Sequence, residues 1–334
     1  MKIGLIKPYA TGFLYYGGIQ AQARMWKKCL EKLGNEVVMM NGWDDEDWNS
    51  YDFILFMGYG KILSDYVEEI KAKFNTKMVC APIIDYNKGI TRFKFICHHL
   101  GSKRLKLTRP EYDLHLCQKD ICLFLARSEF EKRYIQEGLG VDEDRIRIVP
   151  ISYSLEENPV VDFSQKENFC MHVSRLATPG KNVGRLIEAS IKYNFKLVLC
   201  GALNGEEENN WLKNQIAGHD NIKYVGRLSD EDMFDYYRRA KVFALPSFIE
   251  GVGIVALEAG LFGDEIVLTK NGAPKEYYNG MARLVDPYSV DEIGKAVLAS
   301  FESGFQPALK AHIEKHYSPQ ACGKLLSDYL KERL

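Results

Sequence analysis

No run of the chain reaches the roughly 18 apolar residues that a membrane-spanning helix needs. The opening "MKIGLIKPYA" turns polar too soon for an export signal. Lys and Arg total 44 against 45 for Asp and Glu, so no single-signed field marks the whole protein as a partner of nucleic acid or membrane. Any such preference must be local. The 8 cysteines are scattered through apolar runs rather than spaced as a framework, the pattern of reduced, buried thiols in a cytosolic protein. Cys117 and Cys122 stand close, but no second pair lies near to complete a zinc site. Neither half carries Gly-x-Gly-x-x-Gly after its first strand with an acid about 20 residues on, which argues against a Rossmann dehydrogenase.

What is present is rhythm. Short apolar runs, "KIGLI" at 2–6, "EVVMM" at 36–40, "DFILFM" at 52–57, "KMVCAPI" at 77–83, "ICLFLA" at 121–126 and "IRIVP" at 146–150, alternate with helical or loop sequence. Such alternation is what a parallel sheet covered on both faces produces. After Pro150 the stretch "SYSLEENPVVDFSQKEN" is polar, proline-bearing and aperiodic, as a linker would be. A second series follows at 169–174, 196–201, 222–226, 242–247 and 265–269. The expected fold is α/β, with two doubly wound Rossmann-like domains over 1–160 and 165–315 and a closing helical stretch at 316–334. Two domains make a cleft possible.

The most informative stretch is "PSFIEGVGIVALEAG", Pro246 to Gly260. "VFALPS" reads as a strand end, "FIEGVG" as the loop at its carboxyl end and "IVALEAG" as the start of a helix. That is where open α/β sheets bind ligands. Gly251 and Gly253 let the backbone approach a ligand, and the N–H groups of the helix start favour anionic oxygens. Glu250 and Glu258 are suited to grip sugar hydroxyls, because a carboxylate accepts several hydrogen bonds. The bland alternative is a turn with two solvent-facing glutamates.

With Pro246, Ser247, Glu250, Gly251, Gly253 and Glu258 in these places, the segment resembles the signature of the family-4 retaining glycosyltransferases of GT-B fold, the glycosyl transferases group 1. Neighbouring stretches extend the resemblance. "HVSRLATPGKN" sets Arg175 and Lys181 where the family keeps the cations that neutralise the donor diphosphate. "IKYVGRL" would place Arg227 and Leu228 near the base, and "NGAPKEY" matches Gly272 and Glu276 to the family's Gly-x-x-x-Glu loop. By this resemblance Glu250 contacts the transferred sugar and Glu258 binds the ribose. The backbone from Gly251 through Val252, Gly253 and Ile254 lines sugar and diphosphate.

In the first half the match is thinner. Gly17 and Gly18 resemble the family's amino-terminal double glycine, which brings N–H groups near the donor phosphates or the acceptor. "ARSEFEKRYIQEGLGVDEDRIRIVP" follows the family pattern, with Ser128 after a strand, but "ISYS" replaces the usual Asn-Gly and aspartate. "PIID" stands where a His-Asp pair is often found, which leaves Asp85 as the catalytic candidate there. After the second glutamate, "AGLFGDEIVLT" lacks the family's proline and sets Asp264 and Glu265 before the strand. The closing "HYSPQACGKLLSDYLKERL" resembles the family's final helix, which returns to the first domain.

From Tyr86 to Pro110 there is no Asp or Glu, against Lys88, Arg92, Lys94, Lys103, Arg104, Lys106 and Arg109. This is either a solvated basic face or an acceptor side favouring an anionic partner, such as a phospholipid headgroup, a lipid diphosphate or nucleic acid. His98 and His99 read as surface or packing residues before acceptor contacts. The resemblance implies a cytoplasmic enzyme, with peripheral membrane contact left open. It would transfer a hexose, with retention, from a UDP- or GDP-sugar to a carbohydrate, lipid-linked or other anionic acceptor. No cofactor is implied, and no metal, since Arg175 and Lys181 can take a metal's role and no Asp-x-Asp is positioned for one. Two other classes stay in view: a GT-B epimerase, whose only acceptor is water, and a nucleotide-sugar-binding protein without transferase activity.

Overall fold

The computed structural model of the protein describes residues 1–7, 18–40, 47–155, 157–303 and 306–334. Gly17 lies outside the described residues. By packing, the chain divides into two units, Met1–Ser154 with Tyr317–Leu334, and Leu155–His316.

The first unit is built on six parallel strands: β1 (Lys2–Ile6), β2 (Glu36–Met39), β3 (Phe53–Met57), β4 (Lys77–Ala81), β5 (Leu123–Ala126) and β6 (Ile146–Ile148). Their order is β2-β1-β3-β4-β5-β6. Alternate residues of β3 supply opposite faces, as the two-residue period of a strand requires. Phe53, Leu55 and Met57 join Trp26 and Leu30 of the helix Gly18–Lys32 and Leu326 and Leu330 of the helix Pro319–Lys331. Ile54 and Phe56 join Leu63 and Val67 of Lys61–Lys73, Phe93 of Ile90–His99 and Leu114 of Pro110–Cys117. The terminal helix therefore belongs to the first unit's core. It starts cleanly, with Ser318 capping Ala321 N–H and Pro319 in its first turn. Gly323 lets it lie against Cys29, since a Cβ there would sit 2.4 Å from the Cys29 Cβ.

The second unit carries β7 (Glu167–Val173), β8 (Leu197–Cys200), β9 (Ile222–Tyr224), β10 (Ala240–Leu245), β11 (Glu265–Thr269) and β12 (Arg283–Val285), ordered β12-β11-β10-β7-β8-β9. The chain runs outward from β7 to β9 on one side and from β10 to β12 on the other, the doubly wound order of dinucleotide-binding sheets. The place where the direction reverses is between β7 and β10.

Several sequence expectations shift in physical ways. The run at 77–83 stops at Ala81, because Pro82 has no N–H for the ladder and Ile83 turns to φ +61°. The run at 242–247 becomes 240–245 with Pro246 as its stop. β12 had no sequence counterpart; it is three residues long, lies on the sheet edge and opens with exposed Arg283. The stretch read as a linker begins buried, with Ser152, Tyr153 and Leu155 all inside.

Asp264 and Glu265, the departures noted after the second glutamate, are interior. Lys166 Nζ donates to Asp264 Oδ1 at 2.5 Å and to the Tyr237 carbonyl at 2.8 Å, and both charged side chains are sealed from water. Gln306 Nε2 donates to both carboxylate oxygens of Glu265, at 2.9 Å each. Burial pushes the Asp264 carboxyl up to about 7, with Lys166 pulling it back down. A raised folded value means that the unfolded chain loses this proton first. The contribution is then fully present below the ordinary value of 3.8 and is lost as pH rises through about 7. Asp264→Asn is expected to flatten the decline in unfolding free energy between these pH values. Lys166→Ala, which strands a buried carboxylate, is expected to cost about 3–5 kcal/mol in denaturant titration.

Candidate active site

In the second unit, Arg175 follows β7, Arg227 and Leu228 follow β9, Glu250 follows β10 and Gly272 follows β11. All stand at the carboxyl edge of a parallel sheet. Lys181 and Glu250 come from the two loops that flank the reversal between β7 and β10, the position where such sheets bind ligands.

Glu250 is the best-held residue of this edge. Its N–H donates to the Asn271 carbonyl at 3.2 Å, and its own carbonyl accepts Ala273 N–H at 3.1 Å. This short parallel bridge needs glycine opposite, because Gly272 has φ +99° and a Cβ there would meet Glu250 O at 1.9 Å. The side chain is buried. Its Oε1 accepts from Lys181 Nζ and from Ser247 Oγ, each at 2.6 Å. Oε2 accepts no hydrogen bond from the described residues. Lys181 keeps 33% of its side chain exposed, so the cation faces solvent on one side and Glu250 on the other.

Three residues to which the resemblance gave no role lock this geometry. Asn182, in the left-handed region at φ 57°, donates from Nδ2 to the carbonyls of Pro246 at 2.9 Å and Pro287 at 2.7 Å. One side chain thereby ties together the loops after β7, β10 and β12. Arg185 donates to Asn182 Oδ1 at 2.9 Å, and its guanidinium lies 5.4 Å from the Phe248 ring and 5.7 Å from the Tyr288 ring. His172 is fully buried, with Nδ1 2.8 Å from the Ala244 carbonyl and Nε2 2.7 Å from Ser174 Oγ. A carbonyl only accepts, so Nδ1 carries the proton and Nε2 accepts from the Ser174 hydroxyl. Burial pushes this imidazole down to about 4, and Lys181 adds to the effect. It is therefore a neutral brace between β7 and β10.

The other expected residues are placed less directly. Arg175 and Arg227 are exposed and Leu228 half-buried, and none of them bonds to Glu250. Gly251 and Val252 are buried; Gly253 and Ile254 open the helix Ile254–Leu261, whose first N–H groups have no intrahelical acceptor. Glu258 sits on that helix with 3% exposure. Burial first, then the Glu258 and Asp264 carboxylates, push the Tyr237 phenol well above its ordinary range. Glu276 is exposed.

In the first unit Gly18 is the exposed first residue of its helix. Asp85, on the loop after β4, keeps 47% of its side chain exposed while Arg127 Nη2 donates to its Oδ1 at 2.8 Å. Arg127 is itself held by buried Glu131, whose Oε2 accepts Arg127 Nε and Arg127 N–H at 2.8 Å each. Glu131 Oε1 accepts Ile84 N–H at 2.6 Å. Burial alone would lower the Arg127 guanidinium, but Glu131 and Asp85 hold it above its ordinary range. Ile83, a β-branched residue at positive φ, adjoins this network, a strained backbone of the kind kept at functional loops. His98 Nε2 lies 3.2 Å from the Gly138 carbonyl, a packing role.

Residues 155–316 match the sequence profile of "Glycosyl transferases group 1", the same span as the second unit. The chain is 25% identical over 209 residues to O-antigen chain mannosyltransferase B of Escherichia coli, covering 58% of this chain and 55% of that protein. It is 27% identical over 176 residues to a GDP-mannose-dependent monoacylated alpha-(1-6)-phosphatidylinositol monomannoside mannosyltransferase of Corynebacterium glutamicum, covering 47% and 45%. The chain thus spans about half the length of the curated relatives it matches. Sucrose-phosphate synthase from Thermosynechococcus elongatus superposes with a TM-score of 0.72 at 14% identity, over 99% of this chain and 98% of that one. That likeness shows the fold, GT-B.

Asn182→Ala is expected to lower stability by about 2–4 kcal/mol in urea titration, since two carbonyls lose their donor and alanine must hold a positive φ. An unchanged midpoint would remove Asn182 from its bracing role.

Proposed function

We propose that this chain, whose second unit belongs to the glycosyl transferases group 1, transfers a sugar from a nucleoside diphosphate sugar to an acceptor hydroxyl with retention at the anomeric carbon. The observation that carries the reading is the division of labour at Glu250. Oε1 is engaged by Lys181 and Ser247, while Oε2 is left for a substrate hydroxyl. A carboxylate fixed in this way is pre-organised for a neutral polyol, and the adjacent cation for an anion.

In the proposed reaction Lys181, with Arg175, neutralises the diphosphate as its charge grows, and the helix start at Gly253 and Ile254 adds N–H donors. The bond between the anomeric carbon and the diphosphate oxygen breaks, and a bond from that carbon to the acceptor oxygen forms. The acceptor proton passes to an oxygen of the departing diphosphate. No protein carboxylate serves as a covalent nucleophile, and the paired-carboxylate logic of hydrolases does not apply. Charge neutralisation by two side chains makes a metal unnecessary in this scheme. Glu258 is assigned to the ribose, Arg227 and Leu228 to the base, and Asp85, steadied by Arg127, to the acceptor side. The name of the Corynebacterium glutamicum relative puts GDP-mannose first among donors to try, with UDP-sugars next. A lipid-linked or carbohydrate acceptor is the corresponding expectation. Among the described residues no helix is long and apolar enough to cross a membrane.

The test is thermal unfolding across a panel of GDP-, UDP-, ADP- and dTDP-sugars. A donor at about 100 times its Kd adds ~2.7 kcal/mol, which for a domain of this size raises Tm by about 5–11 °C. One base and sugar class should give such a shift, and Glu250→Ala should weaken it toward the shift that the bare nucleoside diphosphate gives. The same shift in the variant would remove Glu250 from the donor site, and no shift with any donor would favour a protein that has lost the site.

A further inference from the structure

We propose that the exposed stretch from the helix Ile90–His99 through Arg109 in the first unit docks on an anionic lipid surface. This goes beyond the transfer reaction and does not depend on it. The helix buries Phe93, Ile96 and Cys97 and turns Arg92, Lys94, Phe95 and His99 outward. Beyond it a tight loop is closed by Ser102 and Leu107, which exchange both backbone bonds, at 2.9 and 3.0 Å. Lys106 N–H donates to the Lys103 carbonyl at 3.3 Å, and Leu105 N–H to Ser102 Oγ at 3.3 Å. A closed loop therefore presents Lys103, Arg104, Leu105 and Lys106 to solvent.

Two features occur together here. Leu105 is 69% exposed, Leu107 59% and Phe95 54%, with Leu100 also outward, whereas the other exposed large apolar side chains among the described residues are spread more widely along the chain. Of the cations in this stretch, only one is in an ion pair among the described residues. Lys103 makes an ion pair with Glu68, at 3.5 Å and with both groups exposed, and Arg92, Lys94, Arg104, Lys106 and Arg109 make none among the described residues. Positive charge together with protruding leucine and phenylalanine in one exposed stretch fits a lipid interface, where headgroup phosphates take the cations and the acyl boundary takes the apolar tips. A nucleic acid would leave the leucines in water. A symmetric contact with a second copy would set these same cations against one another.

The experiment is co-sedimentation of the full chain with vesicles of phosphatidylcholine alone and of phosphatidylcholine with phosphatidylglycerol at roughly 2:1. Binding to the anionic vesicles, weakened by salt, is the expected result. The Arg104→Glu, Lys106→Glu double variant should lower that binding at least about tenfold. Phe95→Ser with Leu105→Ser should lower what survives at high salt, with melting temperatures unchanged in both because every altered side chain is exposed. The proposal is overturned if the anionic vesicles are not bound, or if both variants bind as the parent does. It is equally overturned if the double variant instead abolishes self-association or nucleic-acid binding in a chain that ignores vesicles.

Discussion

The second unit is organised around one ion pair, Lys181 with Glu250, at the point where the winding of its sheet reverses. A buried carboxylate is costly unless it is paired and hydrogen-bonded. Glu250 meets that condition at one oxygen only. The surrounding structure keeps it so: Gly272 allows the backbone bridge, Asn182 ties three loops, and neutral His172 joins β7 to β10 beneath them. The result is a carboxylate with one oxygen fixed and one available, beside a cation with a solvent-facing side. In the proposed reaction an incoming diphosphate would compete with Glu250 for that cation, so donor binding would exchange one ionic partner for another rather than create a charge in isolation.

The first unit uses a related device with different residues. Glu131 gathers Ile84 N–H, Arg127 N–H and Arg127 Nε, and Arg127 in turn holds half-exposed Asp85. A buried acid thus positions a cation, and the cation positions an acid at the loop surface. In both units the groups that reach solvent are set by charged groups that do not, which is how rigid sites are supported on a strand edge.

Much of this was legible in the sequence because it rests on local rules. Apolar runs of strand length marked eleven of the strands, and the Glu250 signature lay next to a strand end because loops at that edge carry ligand chemistry. What escaped depends on distant partners. Asn182 looks like an ordinary turn residue until Pro246 and Pro287 are brought beside it, and Glu131 reads as one half of a helical pair with Arg127. Asp264 and Glu265 show in the sequence only as a departure before a strand, since nothing nearby announces Lys166 or Gln306. β12 was missed because three residues at an edge, one of them an exposed arginine, carry no strand period.

The most direct measurement is calorimetric titration of a nucleoside diphosphate without its sugar, GDP or UDP, into the parent chain, Lys181→Ala and Glu250→Ala. If Lys181 is the diphosphate cation and Glu250 its resting partner, Lys181→Ala should lose at least about tenfold in affinity, the scale of one charge-assisted bond. Glu250→Ala should bind the diphosphate as tightly as the parent or tighter, because its lysine is already released. Equal losses in the two variants would contradict the exchange of partners, and an unaffected Lys181→Ala would place the diphosphate elsewhere.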